Sequence, residues 1–419
     1  MIPLPDLAPA RDLDPQLRRE RLRIKIKGTS RISISALEVA RGMPDGRGIM
    51  SATILEEDTI DQVLAGDRIS PDEALELYRL PLNELGELAN HRRNLATREK
   101  HGGRGEEIVT YIVDRNINYT NVCDVYCKFC AFYRTEKDAD HYVITREQLD
   151  QKLDELTAIG GVQILMQGGH HPSLTLDWYL DLLAHIRAKY PHINIHGFSP
   201  PEFTHFAEVF QMPLREVLTR FKAAGLGSVP GGGGEILVDR VRDSIAPLKC
   251  NSDQWLKVME VAHELGLNSS ATMMFGHVET LEERIEHLDR LRMQQDATGG
   301  FTAFICWTFQ PGRNRAGHVM LPGVEPVGSS EYLRMQALSR IYLDNIPNLQ
   351  SSWVTQGPKI GQVALKYGAN DFGSVMMEEN VVSAAGTSFR LQKEQIELLI
   401  RDAGFAVRQR NNWYELVGS

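Results

Sequence analysis

The fold class this sequence predicts is α/β: a (β/α)8 barrel of the TIM type behind a helical N-terminal lead-in. Three observations predict it. From residue 107 onward, eight short apolar runs of strand length alternate with eight longer amphipathic runs. Glycine, proline and polar residues collect where each strand run ends, the place where barrels of this class carry their functional groups. Residues 58–106 carry helical signals and no strand run.

Taken in order, residues 1–57 form an extension of unknown role, with prolines at Pro3, Pro5 and Pro9 and a basic run from Arg18 to Lys27 that reads as a solvated terminal face. The lead-in, 58–106, opens a helix at Ser70-Pro-Asp-Glu73, with Ser at the cap, Pro at the first position and acid in the first turn. A second helix from Pro81 to Arg98 carries the stripe Leu82, Leu85, Leu88 and Ala89. The barrel with its C-terminal cap spans 107–419. Its strands are expected at 108–122, 162–167, 193–198, 226–229, 268–275, 301–310, 349–354 and 369–376. Helices are expected at 145–159, 176–190, 202–224, 253–265, 281–297, 330–345, 359–367 and 393–403.

With 419 residues, 42% of them hydrophobic, the chain is long enough to bury a barrel-sized core. A formal net charge of −9 without a dominant basic face argues against a nucleic-acid partner. No apolar run approaches the roughly 20 residues that span a bilayer, and the first residues lack a secretory pattern, so a cytoplasmic protein without a membrane partner is expected. Five cysteines, three of them clustered, do not form a disulfide framework.

Those three, Cys123, Cys127 and Cys130, follow the first strand with the spacing C-x3-C-x2-C. Three thiolates on a short loop hold a soft metal. A 4Fe-4S cluster bound by three cysteines keeps one iron without a protein ligand, where S-adenosyl-L-methionine can chelate and be cleaved reductively. A structural zinc loop, with His141 as the nearest additional ligand, is the alternative; no fourth ligand follows at zinc-finger spacing. Tyr126, Phe129, Phe132 and Tyr133 would shield iron and sulfur from water, and could stack on adenine.

The other strand ends supply further candidates. Gln167-Gly-Gly-His-His-Pro172 offers Gly168 and Gly169 for close approach of a ligand to the backbone, and His170 and His171 for proton transfer. Ser199 and Glu202 straddle two prolines that fix the loop, although an acid at Glu202 also suits the first turn of a helix. Glu235 follows four glycines that no Lys-Ser or Lys-Thr follows, which excludes a Walker phosphate loop. Cys250, Cys306 and the methionine pairs read as packing residues.

Beyond these single loops, the blocks Tyr111-Ile-Val-Asp-Arg-Asn-Ile-Asn-Tyr-Thr-Asn-Val-Cys123, Cys127-Lys-Phe-Cys-Ala-Phe-Tyr-Arg134, Met166-Gln-Gly-Gly-His-His-Pro172, Phe198-Ser-Pro-Pro-Glu202, Met274-Phe-Gly-His-Val-Glu279 and Met376-Met-Glu-Glu-Asn380 together resemble the radical S-adenosylmethionine superfamily. Within it the chain is most similar to the group of futalosine-pathway enzymes and deazaflavin synthases, and there to the dehypoxanthine futalosine cyclases of menaquinone biosynthesis. The resemblance implies a 4Fe-4S cluster on Cys123, Cys127 and Cys130. It implies cofactor contacts from Phe129 (adenine), Gln167, Gly168 and Gly169 (methionine amine), and Ser199 and Glu202 (ribose and carboxylate). His170 stands where many members carry Glu. The implied substrate is dehypoxanthine futalosine, which loses hydrogen from ribose C4′, adds to its own benzoate ring and sheds an electron and a proton, His170, His171 and Glu235 being the candidate acceptors. A one-electron donor such as flavodoxin or ferredoxin is the implied protein partner. The sibling aminofutalosine synthases, which act on a vinyl ether, fit less well the Tyr133-Arg134 end of the cysteine loop and the doubled histidine. A zinc-stabilised, non-catalytic barrel is the reading from another class.

Overall fold

The computed structural model describes residues 58–313, 317–378, 380–384, 386 and 389–418; the N-terminal extension read at 1–57 lies outside them. Among the described residues, ten parallel strands form one sheet in the order β10-β1-β9-β8-β7-β6-β5-β4-β3-β2. Its first extended segment has two halves, β1 (Ile108–Ile112) and β2 (Asp114–Asn118), with Val113 between them. β1 pairs with β9 (Asp371–Ser374) and with β10 (Ala406–Gln409). β2 pairs with β3 (Gln163–Gln167), Asp114 opposite Gln163 and Asn118 opposite Gln167. One segment thus serves both ends of the order, and the sheet curls back on itself through it. β4 (Asn194–Gly197), β5 (Ser228–Val229), β6 (Asn268–Phe275), β7 (Phe301–Thr308) and β8 (Leu349–Gln350) complete the wall.

Helices on the outside begin where the sequence places caps. The Ser70 hydroxyl accepts from Glu73 N–H, and Glu73 accepts from Ser70 N–H at 2.7 Å; Thr145 with Gln148 and Thr280 with Glu283 repeat the device. The lead-in helix Leu82–Thr97 packs on the helix Ser329–Tyr342. Its buried Arg93 donates to the carbonyls of Glu106 and Ile108, which ties it to the start of β1. No helix among the described residues is long and apolar enough to cross a membrane.

Several expected boundaries change for physical reasons. The run 108–122 leaves the sheet at Asn118, and its tail instead carries single bridges from Thr120 to Val143 and from Val122 to Arg134. The helix expected over 202–224 is two, Pro200–Val209 and Leu214–Ala224: Gln211 takes a left-handed φ of 49°, and Pro213 cannot donate a helical hydrogen bond. β10 escaped the sequence reading because it is a half-exposed edge strand with few apolar positions.

The period of two decides what the barrel encloses. Along the first segment Val109, Tyr111, Val113 and Ile117 enter the apolar layer, while Ile112, Asp114, Asn116 and Asn118 face inward. Gln163, Gln167, His196, Ser270, Thr272, Gln350 and Ser374 face inward too, beside the apolar Leu165, Met274, Ile305 and Trp307, so the barrel encloses a largely apolar cavity of about 470 Å³ with polar groups set into its wall instead of a solid stack of branched side chains. Its polar walls are partly tied together: Asp114 accepts from Gln163 at 3.1 Å and from Ser374, and Asp371 accepts from Thr110 at 2.6 Å and from Arg410 at 2.6 and 2.9 Å.

Burial pushes His196 and His287 down to about 3. The unfolded chain takes up these protons below about 6.5 while the folded protein does not, so the unfolded state binds more protons between those values. Stability is therefore full above pH 6.5 and falls as pH drops toward 3, by about 1.4 kcal/mol per unit for each group. Urea midpoints at pH 7 and pH 5 check this, with a shallower slope expected for His287→Gln; identical midpoints would contradict it.

Candidate active site

The cysteine loop leaves β2 at the C-terminal end of the wall and is held by its own backbone. Cys123 N–H donates to Arg134 C=O at 2.9 Å, Arg134 N–H to Asn121 C=O at 2.7 Å, and Cys130 N–H to Cys127 C=O at 3.1 Å. The Arg134 guanidinium donates to the carbonyls of Ala131, Phe132 and Tyr133, closing the loop around a cation. Lys128 fastens it to the neighbouring wall through Ile245 C=O and Ser244 C=O. All three thiols line the cavity. Burial pushes Cys127 up to about 12, so its thiolate form needs a cation beside it.

Gly168 and Gly169 exist for this loop. A Cβ on Gly168 would lie 2.5 Å from the Tyr119 ring, and one on Gly169 would lie 2.1 Å from the Val122 carbonyl oxygen. Their N–H groups go to Glu202 at 3.0 Å and to Thr120 C=O at 3.1 Å. These Cα atoms make room for the protein's own loop, and both residues also line the cavity, where the sequence expects a ligand to approach the backbone.

Glu202 takes the first-turn position that the sequence offered as its alternative, in a capping box with Ser199. It is 1% exposed, and four donors reach its carboxylate: Tyr119 O–H (2.8 Å), Gly168 N–H (3.0 Å), Ser199 N–H (2.7 Å) and Ser199 O–H (2.6 Å). Burial pushes its pKa up while those donors pull it down. With these lone pairs engaged, Glu202 ties the ends of β2, β3 and β4 together and has no acceptor left over for a cofactor ribose. Ser199 is likewise turned to Glu202, although both line the cavity.

The three candidate proton acceptors separate. His170 lines the cavity, with its ring 4.8 Å from that of His205. Burial, then His205, holds it well below its ordinary value, in the neutral form. His171 is not among the lining residues, and its Nδ1 accepts from Ser173 N–H at 3.1 Å. Glu235 lines the cavity but is paired with Lys249 at 2.9 Å, and Lys249 also lies 5.2 Å from the Phe129 ring. Phe129, Phe132, Tyr133 and Gln167 line the cavity as well, whereas Tyr126 turns outward and is 47% exposed.

For the metal, spacing within the site is informative. A single tetrahedral ion with sulfur at about 2.3 Å would draw its ligands to within about 4 Å of one another. Among the described residues the three ligand atoms that converge within 4.8 Å are those of Asp124, His170 and His205, not the three cysteine sulfurs. His141 turns to the carbonyl of Asp138 and does not line the cavity.

Residues 117–291 match the model of the Radical SAM superfamily, and residues 298–418 that of the CofH/MqnC C-terminal region. The chain is 44% identical over 359 residues to a cyclic dehypoxanthine futalosine synthase of Halalkalibacterium halodurans, covering 85% of this chain and 94% of that one. The chain belongs to the radical SAM superfamily. It is an enzyme of that superfamily, whose membership implies a 4Fe-4S cluster and S-adenosylmethionine. It is also 37% identical over 361 residues to an aminodeoxyfutalosine synthase of Thermus thermophilus, with 85% and 94% of the two chains covered. The crystal structure of methylornithine synthase shares the fold at a TM-score of 0.63 and 15% identity, over 82% of this chain and 95% of that one.

Sequence reasoning overlooked Asn116, Asn118, Gln163, His196 and Lys249, which also line the cavity. The alternate polar residues of Asp114-Arg-Asn-Ile-Asn118 carried a signal for an inward polar face; Lys249, fourteen positions from Glu235, carried none. Two variants test the mouth of this radical SAM barrel. Glu202→Ala strands four buried donors and is expected to lower unfolding free energy by at least about 3 kcal/mol. Gly169→Ala should leave the far-ultraviolet spectrum intact yet reduce iron and sulfide binding severalfold; full loading would show that the loop tolerates the added methyl.

Proposed function

We propose that this radical SAM enzyme cyclises dehypoxanthine futalosine to cyclic dehypoxanthine futalosine in menaquinone biosynthesis. The observation that carries the reading is the group of three loop cysteines on a cavity of about 470 Å³, in a chain 44% identical to a named synthase along 94% of that synthase's length. Cys123, Cys127 and Cys130 would hold the cluster. Phe129, Gln167 and Ser199, with the backbone at Gly168 and Gly169, would frame S-adenosylmethionine, while Glu202 fixes that frame from behind. When bound, the pair supplies one-electron abstraction of a hydrogen atom, at ribose C4′ in this reading.

The remaining work falls to the chain. The enclosed wall keeps water from a reactive carbon centre and holds the ribose and the benzoate ring of one molecule against each other, so that ring closure is intramolecular. Closure releases one proton and one electron; the electron would return to the oxidised cluster that Cys123, Cys127 and Cys130 would hold. The proton goes to an imidazole nitrogen of His170, the neutral base on the wall; Glu235 is committed to Lys249, and His171 lies off the cavity. Reduction of the cluster would draw on a small one-electron donor such as flavodoxin or ferredoxin, and five free cysteines suit a reducing cytoplasm.

Incubation of the reduced, anaerobically reconstituted enzyme with S-adenosylmethionine and synthetic dehypoxanthine futalosine should give deoxyadenosine and a product two hydrogens lighter than substrate by mass spectrometry. Cys127→Ala should lose the cluster absorbance, the sulfide and both products. Turnover of the vinyl ether instead would assign the sibling reaction, and stoichiometric zinc without sulfide would remove the radical reading.

A further inference from the structure

We infer that the floor of the barrel, built by Asn412 and Tyr414 of the C-terminal tail, is the subsite for the carboxylate-bearing end of the substrate. The identity of that substrate rests on the reading above. After β10 the chain folds back on itself: Arg410 bridges Leu416, Asn411 N–H donates to Glu415 C=O at 2.9 Å, and the Asn411 side chain accepts from Trp413 and Glu415 N–H. This turn carries Arg410, Asn412 and Tyr414 onto the cavity wall. Arg410 N–H donates to Tyr111 C=O at 2.9 Å, which places the turn beside the end of β1, several residues below the cysteine loop on the same segment. From Tyr111 to Asn118 that segment runs about 23 Å at ~3.3 Å per residue.

Three separate features mark the floor as built for a ligand. Folded proteins satisfy nearly all buried polar groups, yet the Tyr414 hydroxyl, Asn412 Nδ2 and, higher on the wall, Asn116 Oδ1 are buried without a partner. Of the unpartnered buried side-chain atoms among the described residues, these are the three whose residues line the cavity. Asn116 and Asn412 are 6% and 7% exposed. Tyr414 is also held at φ 63°, a conformation that bulky residues adopt where the surroundings impose it and that gathers at ligand sites. Its ring lies 3.9 Å from the Arg410 guanidinium, which Asp371 anchors from the other side.

The chemistry of the groups selects the ligand. Asn412 and Tyr414 present two donors beside a guanidinium, a set suited to a carboxylate. Asn116 presents an acceptor nearer the mouth, suited to a hydroxyl. A molecule whose ribose must meet the cysteine end and whose aromatic carboxylate lies at its other end matches that order.

The test uses the reconstituted holoenzyme with S-adenosylmethionine and Tyr414→Phe, which keeps the ring over Arg410 and removes the hydroxyl. Binding is measured for dehypoxanthine futalosine and for its analogue with hydrogen in place of the carboxylate, and, independently of the substrate, for 3-acetylbenzoate against acetophenone. The variant should bind each carboxylate about tenfold more weakly, with affinity for each carboxylate-free partner, S-adenosylmethionine binding and the thermal midpoint unchanged. An equal loss on both members of a pair, or no loss on either carboxylate, would overturn the inference. If the wild type ignores dehypoxanthine futalosine, the proposed reaction falls; the acetylbenzoate pair then decides the subsite alone, and it stands only if Tyr414→Phe removes that preference.

Discussion

A single buried carboxylate sets the geometry on which the mouth of this barrel depends. Glu202 collects hydrogen bonds from Tyr119, Gly168 and Ser199, one group from each of three neighbouring strand ends. A carboxyl group in that position is tolerated because four donors replace its water, offsetting the burial that pushes its pKa up. The Tyr119 ring it holds then lies against Gly168, and the cysteine-loop backbone lies against Gly169, each with no space for a methyl. The position of the three thiols is thus inherited, contact by contact, from the carboxylate behind them.

The second constraint is that the barrel is lined rather than filled. Inward side chains on β2, β3, β4 and β6 include a carboxylate, amides, hydroxyls and an imidazole beside Leu165 and Met274, and the polar ones must be paired or await a ligand. Much of the polar part is paired at the lower end, where Asp371 and Arg410 form a bidentate contact and Asp114 takes Ser374 and Gln163. Those pairs attach the C-terminal turn to the first and last strands of the ring. The chain end is consequently part of the cavity wall, and one enclosed volume runs between two chemically different ends: thiols, aromatics and a neutral imidazole at one, a guanidinium and unpaired donors at the other.

How far these features can be read in advance depends on the range of the physics. Alternation of strand and helix, the cap at Ser70, and the clustering of Cys123, Cys127 and Cys130 are local patterns, and each appears in the structure where the sequence places it. The strands β5 and β8 fall within the runs read at 226–229 and 349–354 but keep only two residues each, whereas the edge strand β10 carries too short a pattern to see. Gly168, Gly169 and Glu202 were legible as unusual residues but not in their part, because what surrounds them comes from residues 34 to 83 positions away.

By itself the sequence determined the class of fold, the cluster-type cysteine spacing and the family, since periodicity and short motifs are written in neighbouring residues. Only the tertiary structure decided that His170 and not His171 faces the cavity, that Glu235 is taken up by Lys249, and that Asn412 and Tyr414 join Asn116 on one wall. The reason is physical: whether a polar side chain is available for chemistry depends on which partners the closed sheet brings within about 3 Å of it, and those partners are distant in the chain.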